Sequence, residues 1–422
     1  MSVRRDAAGV VVGERKMRYA QRSRTKNICL VGLICGVFAF ALPICAQRRT
    51  GAGRPGSFET LAKRADEARA VNRLDDAIEL YRQALALRPR WGEGWWYLAT
   101  LLYERDRYAE AARAFQKAAE LQPKAGAPWA LLGLCEFQLG RYDEALLHIQ
   151  RGRQLGLVNN PELIRVLRYH EALLLLLKGD FETAQQNLGA LAYDGVSSED
   201  LILALGLAIL RIPALPRQIP PNSEEHELIR RAGWAELQAA QRNFTDAHRE
   251  YARLAADYGK APNVQYAYGR YLLSRRDDEG ALAAFQREIE NSPENALARL
   301  QIAYIKLRNK EAAAGLKFAE EAIRLYPRSP LGHYLLGRLL LDVGQVARAI
   351  EELEVARNLA PEEPRIHFAL ARAYARANRK ADAERARETF VLLNKKAEEA
   401  ANRGLNRGEV IQDEKTDSNA PR

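Results

Sequence analysis

The chain has 422 residues, 47% hydrophobic and 28% charged, which excludes a disordered polymer and leaves room for two ordinary domains or one extended array. The formal net charge is +10, yet residues 1–46 hold eight Lys/Arg against two Asp/Glu, so six of those ten charges sit in one short segment. The rest is a near-balanced mixture of charges, which argues against a nucleic-acid partner.

The first element is "RSRTKNICLVGLICGVFAFALPICAQ". Arg22, Arg24 and Lys26 precede an apolar run from Ile28 to Ala46, and Pro43 breaks the run just before the small Ala46. A basic start, an apolar middle and a small-residue end predict a secretory signal over 1–46, cut after Ala46. The run is also long enough to span a bilayer, so an uncleaved anchor through residues 28–46 is the alternative. A start at Met17 gives a more usual basic leader than a start at Met1. Cys29, Cys35 and Cys45 lie in this leader; a mature chain keeps only Cys135 and forms no internal disulfide. Cys135 falls in an apolar helix pattern and reads as an inert core thiol. Residues 47–57 are a linker.

Beyond the linker a fixed period takes over. Pro89 and Pro123 are 34 residues apart, as are Pro293, Pro327 and Pro361. Ala77, Ala111 and Ala145 share that spacing, as do Ala247 and Ala281, and Ala349 and Ala383. A fixed period with two helical stretches per unit marks a helical solenoid. Here the chain resembles the tetratricopeptide repeat family. Residues 92–125 carry the resemblance most fully, with Trp95, Leu98, Ala99, Ala111, Phe115, Ala118 and Pro123 in the family's slots; Trp129, Leu132, Gly133 and Ala145 follow in the next unit. The resemblance implies an all-α fold: a right-handed superhelical solenoid of antiparallel helix pairs, about nine units in two blocks. Its physical basis is plain. Small residues such as Ala99, Gly133 and Gly337 let paired helices approach, large ones such as Trp95 and Phe115 fill the space beside them, and each proline stops the second helix.

The units are expected at 58–198 and 228–397. One extra turn is expected near "RQLGLVNNPE" (153–162). Between the blocks, 199–211 reads as an apolar helix and "IPALPRQIPPN" (212–222) as a proline-rich loop; together 199–227 read as a degenerate unit that lost its second helix, forming either a bent joint or a docking loop for a partner. A capping helix is expected to about residue 402, and 403–422 as a disordered tail.

The sequence shows no glycine-rich phosphate loop, no zinc-spaced Cys/His cluster and no nucleophile elbow, so the reading is of a non-enzyme without cofactor or metal. His333 and His367 occupy the slot of Trp95 and Trp129, as packing residues rather than metal ligands. The family's concave face comes from the first helix of each unit. Carrying that offset over places Trp96, Tyr169, Tyr266, Tyr334 and Phe368 in one row, Arg270, Tyr304, Arg338 and Arg372 in a second, and Tyr103 and Phe137 in a third. The functional reading is a groove in which aromatics give rigid contact and arginines hold carboxylates or carbonyls of a protein partner. The alternative is that the aromatics pack against neighbouring units and the arginines pair with nearby glutamates. The expected role is a periplasmic or secreted interaction scaffold of a bacterial cell envelope. Two other readings stay open: an inner-membrane-tethered assembly factor for surface polysaccharide or secretion machinery, and a glycan-binding or hydrolytic protein using the Trp91–Trp96 cluster.

Overall fold

The computed structural model describes residues 56–157 and 160–413. The leader expected over 1–46 and its cut near Ala46 lie outside them, as does the tail beyond Asp413. Among the described residues every regular element is helical. They fall into two compact units, dividing between Ala247 and His248.

In the first unit, α1 (Phe58–Ala70) pairs with α2 (Leu74–Leu87), α3 (Gly92–Glu104) with α4 (Tyr108–Leu121), α5 (Gly126–Gln138) with α6 (Tyr142–Leu155), and α7 (Pro161–Lys178) with α8 (Phe181–Tyr193). Next come α9 (Glu199–Ile209) and α10 (Glu224–Ala240); α11 (Phe244–Asp257) contains the division. The second unit continues with α12 (Val264–Ser274) against α13 (Asp278–Asn291), α14 (Ala296–Arg308) against α15 (Ala312–Leu325), α16 (Pro330–Asp342) against α17 (Val346–Leu359), and α18 (Pro364–Arg376) against α19 (Lys380–Asp413).

Each feature of the repeat has a visible local cause. The second helices α2, α4, α13, α15 and α17 end two residues before Pro89, Pro123, Pro293, Pro327 and Pro361. Each of those prolines except Pro293 offers its carbonyl to a ring N–H six residues on. Trp95 Nε1 donates to Pro89 O at 2.8 Å, Trp129 Nε1 to Pro123 O at 3.4 Å, His333 Nε2 to Pro327 O at 2.9 Å and His367 Nε2 to Pro361 O at 2.7 Å. Tryptophan and histidine therefore share the slot because both put an N–H at the same place, and the two histidines are structural latches.

The turn inside each pair carries a second regularity, which the sequence reading missed. Asn72, Asp106, Gly140, Gly179, Arg242, Arg276, Lys310, Gly344 and Asn378 all have φ between 55° and 86°. Each stands fifteenth in its unit. Glycine enters this left-handed region freely and Asn or Asp tolerate it, whereas Arg and Lys occupy it only under tertiary constraint. Arg211, at φ 58°, ends α9 in the same way.

Small residues do the close packing. Ala99, Ala111 and Ala145 are fully buried, and a Cβ on Gly133 would stand 2.8 Å from the Ala145 carbonyl. Phe115 and Phe285 fill the neighbouring space with no exposed surface, each burial contributing about 1.5–3 kcal/mol. Cys135 is buried among these helices, and burial pushes its thiol well above the usual range, as fits an inert core group.

The extra turn expected near 153–162 falls at the start of the following helix: α7 begins at Pro161 and has 18 residues where α3 and α5 have 13. Two expectations meet a different arrangement. The apolar helix at 199–209 is not left without a second helix. It packs on α10, the two backbones meeting at Gly206 and Gly233, where an added Cβ would overlap the carbonyls of Ile229 and Ile202. Both helices belong to the first unit, so the division falls after α10 and not at the proline-rich loop. Finally, α19 runs to Asp413 rather than stopping near 402; residues 402–413 contain no proline to break it.

Candidate functional site

In the first unit the candidate groove residues are engaged within the chain. Trp96 is half-buried, edge-on to Phe115 with ring centroids 5.7 Å apart. Tyr103, 8% exposed, meets the Tyr108 ring at 5.3 Å, and burial drives its hydroxyl above the ordinary tyrosine range. Phe137, 4% exposed, is edge-on to His170 at 4.8 Å. The Tyr169 hydroxyl donates to the Asp200 carbonyl at 3.3 Å, so α9 closes over it. The proline-rich loop adds to this covering. Its Leu215, Pro216 and Ile219 are buried, while Arg217 stands over the Phe137 ring and donates to the Tyr142 hydroxyl at 2.9 Å. Arg211, at the root of the loop, sits over Phe181 and pairs with Glu182.

The tryptophan cluster separates in the same way. Trp95 latches Pro89. Trp91 packs edge-on to Phe58 at 5.0 Å, beside Tyr81 at 5.9 Å and against Gly94, covering the junction of α1, α2 and α3. The three indoles thus face three different partners.

The second unit differs. Tyr266 is buried against Phe285, 5.9 Å between centroids, and is not available as a groove contact. Tyr304 and Phe368 are 42% and 46% exposed, and Tyr334 is half-buried. The first helices α14, α16 and α18 touch in succession, so these side chains belong to one continuous surface. Three aromatic–arginine couples stand four residues apart on their helices: Tyr266 with Arg270, Tyr334 with Arg338, and Phe368 with Arg372. Arg338 Nη1 donates to the Tyr334 hydroxyl at 3.0 Å.

Their ion pairing bears on the two readings of the sequence. Arg299, Arg308, Arg348 and Arg365 in this unit each hold a carboxylate. Arg270, Arg338 and Arg372 hold none among the described residues. The three arginines therefore carry no ion pair, and of the aromatics that precede them by four residues only Phe368 is exposed. Nearby Arg365 is raised by its hydrogen bond to Glu363, whose carboxyl is correspondingly held below its usual range. Among the described residues no group of three His, Cys, Asp or Glu is placed to hold a metal, and no helix is long and apolar enough to cross a membrane.

Comparisons with known proteins bear on the same elements. A tetratricopeptide repeat profile matches residues 62–128, 98–156, 233–296, 279–330 and 334–387, together more than half of the chain. Over 142 residues the chain is 28% identical to anaphase-promoting complex subunit 3 of Schizosaccharomyces pombe, a match covering 32% of this chain and 21% of that protein. The chain thus spans about a fifth of the length of that relative. Among solved structures, MamA from Desulfovibrio magneticus RS-1 is 22% identical with a TM-score of 0.36, covering 40% of this chain and 94% of that one. Yeast Tom70 is 14% identical with a TM-score of 0.35, covering 80% and 85%. At such values these likenesses say nothing about a shared partner.

Proposed function

The chain belongs to the tetratricopeptide repeat family, and we propose that it is a non-enzymatic scaffold of the bacterial cell envelope whose second unit captures an acidic segment of a protein partner. The fold is that of a protein-interaction array. The observation that carries the finer reading is that Arg270, Arg338 and Arg372 hold no carboxylate, while Tyr304 and Phe368 are exposed on first helices of the same unit. Arginine's planar fork suits carboxylates, and aromatic neighbours add rigid contact area. Support for the envelope comes from the basic-then-apolar leader.

The test reverses Arg270, Arg338 and Arg372 to glutamate together. None of the three holds an internal carboxylate, but Arg338 bonds the Tyr334 hydroxyl, so some loss of melting temperature is expected and retained helicity is the control. Capture of the main partner from an envelope extract should disappear; undiminished capture would remove the row from the site. N-terminal sequencing of the mature chain checks the location, and a chain that retains residues 28–46 would favour the tethered form.

A further inference from the structure

The array ends on α19, whose outer side is not that of a simple cap. The last helix of a solenoid turns a polar face to water. Ala383, Ala386 and Phe390 turn α19 inward, Phe390 meeting the Phe368 ring of α18 at 5.3 Å. On the opposite side Val391 and Leu392 stand side by side, 62% and 54% exposed.

The helix also outruns its neighbour. α18 has 13 residues and α19 has 34. At helical rise these are about 20 Å and about 51 Å, so α18 covers less than half of α19. Lys395, Lys396, Ala397 and Glu398 are accordingly exposed all round the helix. A helical stretch with so little packing is marginal in water and gains most from a neighbour.

The charges select that neighbour. Glu388 and Lys395 lie on the exposed face, one turn before and one turn after Val391 and Leu392, and neither has an ion pair or hydrogen bond among the described residues. Two copies of α19, laid antiparallel about a two-fold axis at Val391 and Leu392, bring Glu388 of one beside Lys395 of the other, twice. The same operation sets Glu398, also unpaired, beside Arg385. A parallel pair would instead oppose Glu388 to Glu388 and Lys395 to Lys395. Glu384, which nears Glu399 in the antiparallel pair, is already held by Arg387 at 3.2 Å. Residues 414–422 contain no large apolar side chain that could cover the patch.

We infer that α19 is the contact between two copies of this chain: an antiparallel, two-fold helix pair that buries Val391 and Leu392 and is held in register by two Glu388–Lys395 pairs. The contact is independent of the arginine row. It gives the assembly two copies of each candidate surface, so a partner with repeated segments can engage both.

Sedimentation equilibrium of the full chain should show a monomer–dimer equilibrium. Val391→Asp together with Leu392→Asp should leave monomer alone, with circular dichroism unchanged because both positions are exposed. Glu388→Lys and Lys395→Glu should each weaken dimerisation about tenfold, since each reversal turns two symmetry-related pairs repulsive. The two reversals together should restore the affinity to within about threefold. Monomer at every concentration overturns the contact. So does a dimer that ignores the Val391 and Leu392 changes, which would place association elsewhere, residues 28–46 included. Single reversals that tighten the dimer or leave it unchanged, or a double reversal without rescue, overturn the antiparallel register. Reversal of Arg270, Arg338 and Arg372 should leave dimerisation unchanged, so the groove and this contact fail separately.

Discussion

The two units spend the same repeat positions differently. In the first, the groove-row aromatics are consumed internally: Tyr103 and Phe137 are buried, Tyr169 bonds α9, and the proline-rich loop lays Arg217 on Phe137. In the second, Tyr304 and Phe368 stay exposed and three arginines carry no internal carboxylate. A slot in a repeat fixes where a side chain starts, and its neighbours decide whether it is spent on stability or left for a partner. Fold membership therefore says little about which unit binds.

The sharpest way to break this comparison is through the helix crossings. Gly233→Ala would drive a Cβ into the Ile202 carbonyl, and backbone cannot yield as a side chain can. Against it stands a gain of about 1 kcal/mol in helix propensity. The net expectation is a loss of roughly 3 kcal/mol from the first unit. Gly337→Ala in the second unit meets chiefly the Leu353 side chain, 2.6 Å away, and should cost about half as much because leucine can change rotamer. All five tryptophans lie in the first unit, so their fluorescence follows that unit alone while circular dichroism follows both. Equal losses for the two variants would sink the distinction.

A second contrast is alkaline. Burial raises Tyr81, Tyr97, Tyr103, Tyr108 and Tyr169 in the first unit above the ordinary tyrosine range; in the second it raises Tyr268 and Tyr271, and Tyr374 is pushed up to about 12, by burial and by its hydrogen bond to Glu354. A folded-state value above the unfolded one, near 10, means the unfolded chain releases its proton first. The stabilisation is complete below about pH 10 and is lost as pH rises through the folded values. With more such residues, the first unit should open first, so the fluorescence transition should precede that in circular dichroism. The reverse order would contradict it.

The smallest expected effect is a gain. Lys310 is exposed and stands at φ 61° in the turn between α14 and α15. Lys310→Gly removes the Cβ strain and should stabilise the second unit by about 1 kcal/mol. The same change at Asn378, where asparagine already tolerates the conformation, should yield only a few tenths. A melting series across the two variants checks the ranking.

Much of this was legible in the chain. The 34-residue spacing of prolines and alanines placed the helix pairs, because stopping a helix and admitting a close neighbour are local demands that few residue types meet. The slot shared by Trp95, Trp129, His333 and His367 was visible too, though not its reason, since the accepting carbonyl belongs to the preceding unit. The left-handed turn position left a weaker trace: glycine or asparagine recurs there, but Arg276 and Lys310 hide it.

The candidate surface was legible only in part. Helical offsets named Tyr266, Tyr304, Tyr334, Phe368 and the arginines, yet offsets cannot say that Phe285 buries Tyr266 or that Arg338 lacks a carboxylate. Nor could they seat α9 on α10, because that contact depends on Gly206 and Gly233 meeting across a proline-rich loop that obeys no period. The sequence by itself determined the repeat, since each unit satisfies its backbone and its small-residue contacts within 34 residues. Which slots remain open to a partner was decided only by tertiary structure, because exposure and charge pairing depend on residues brought together from other units.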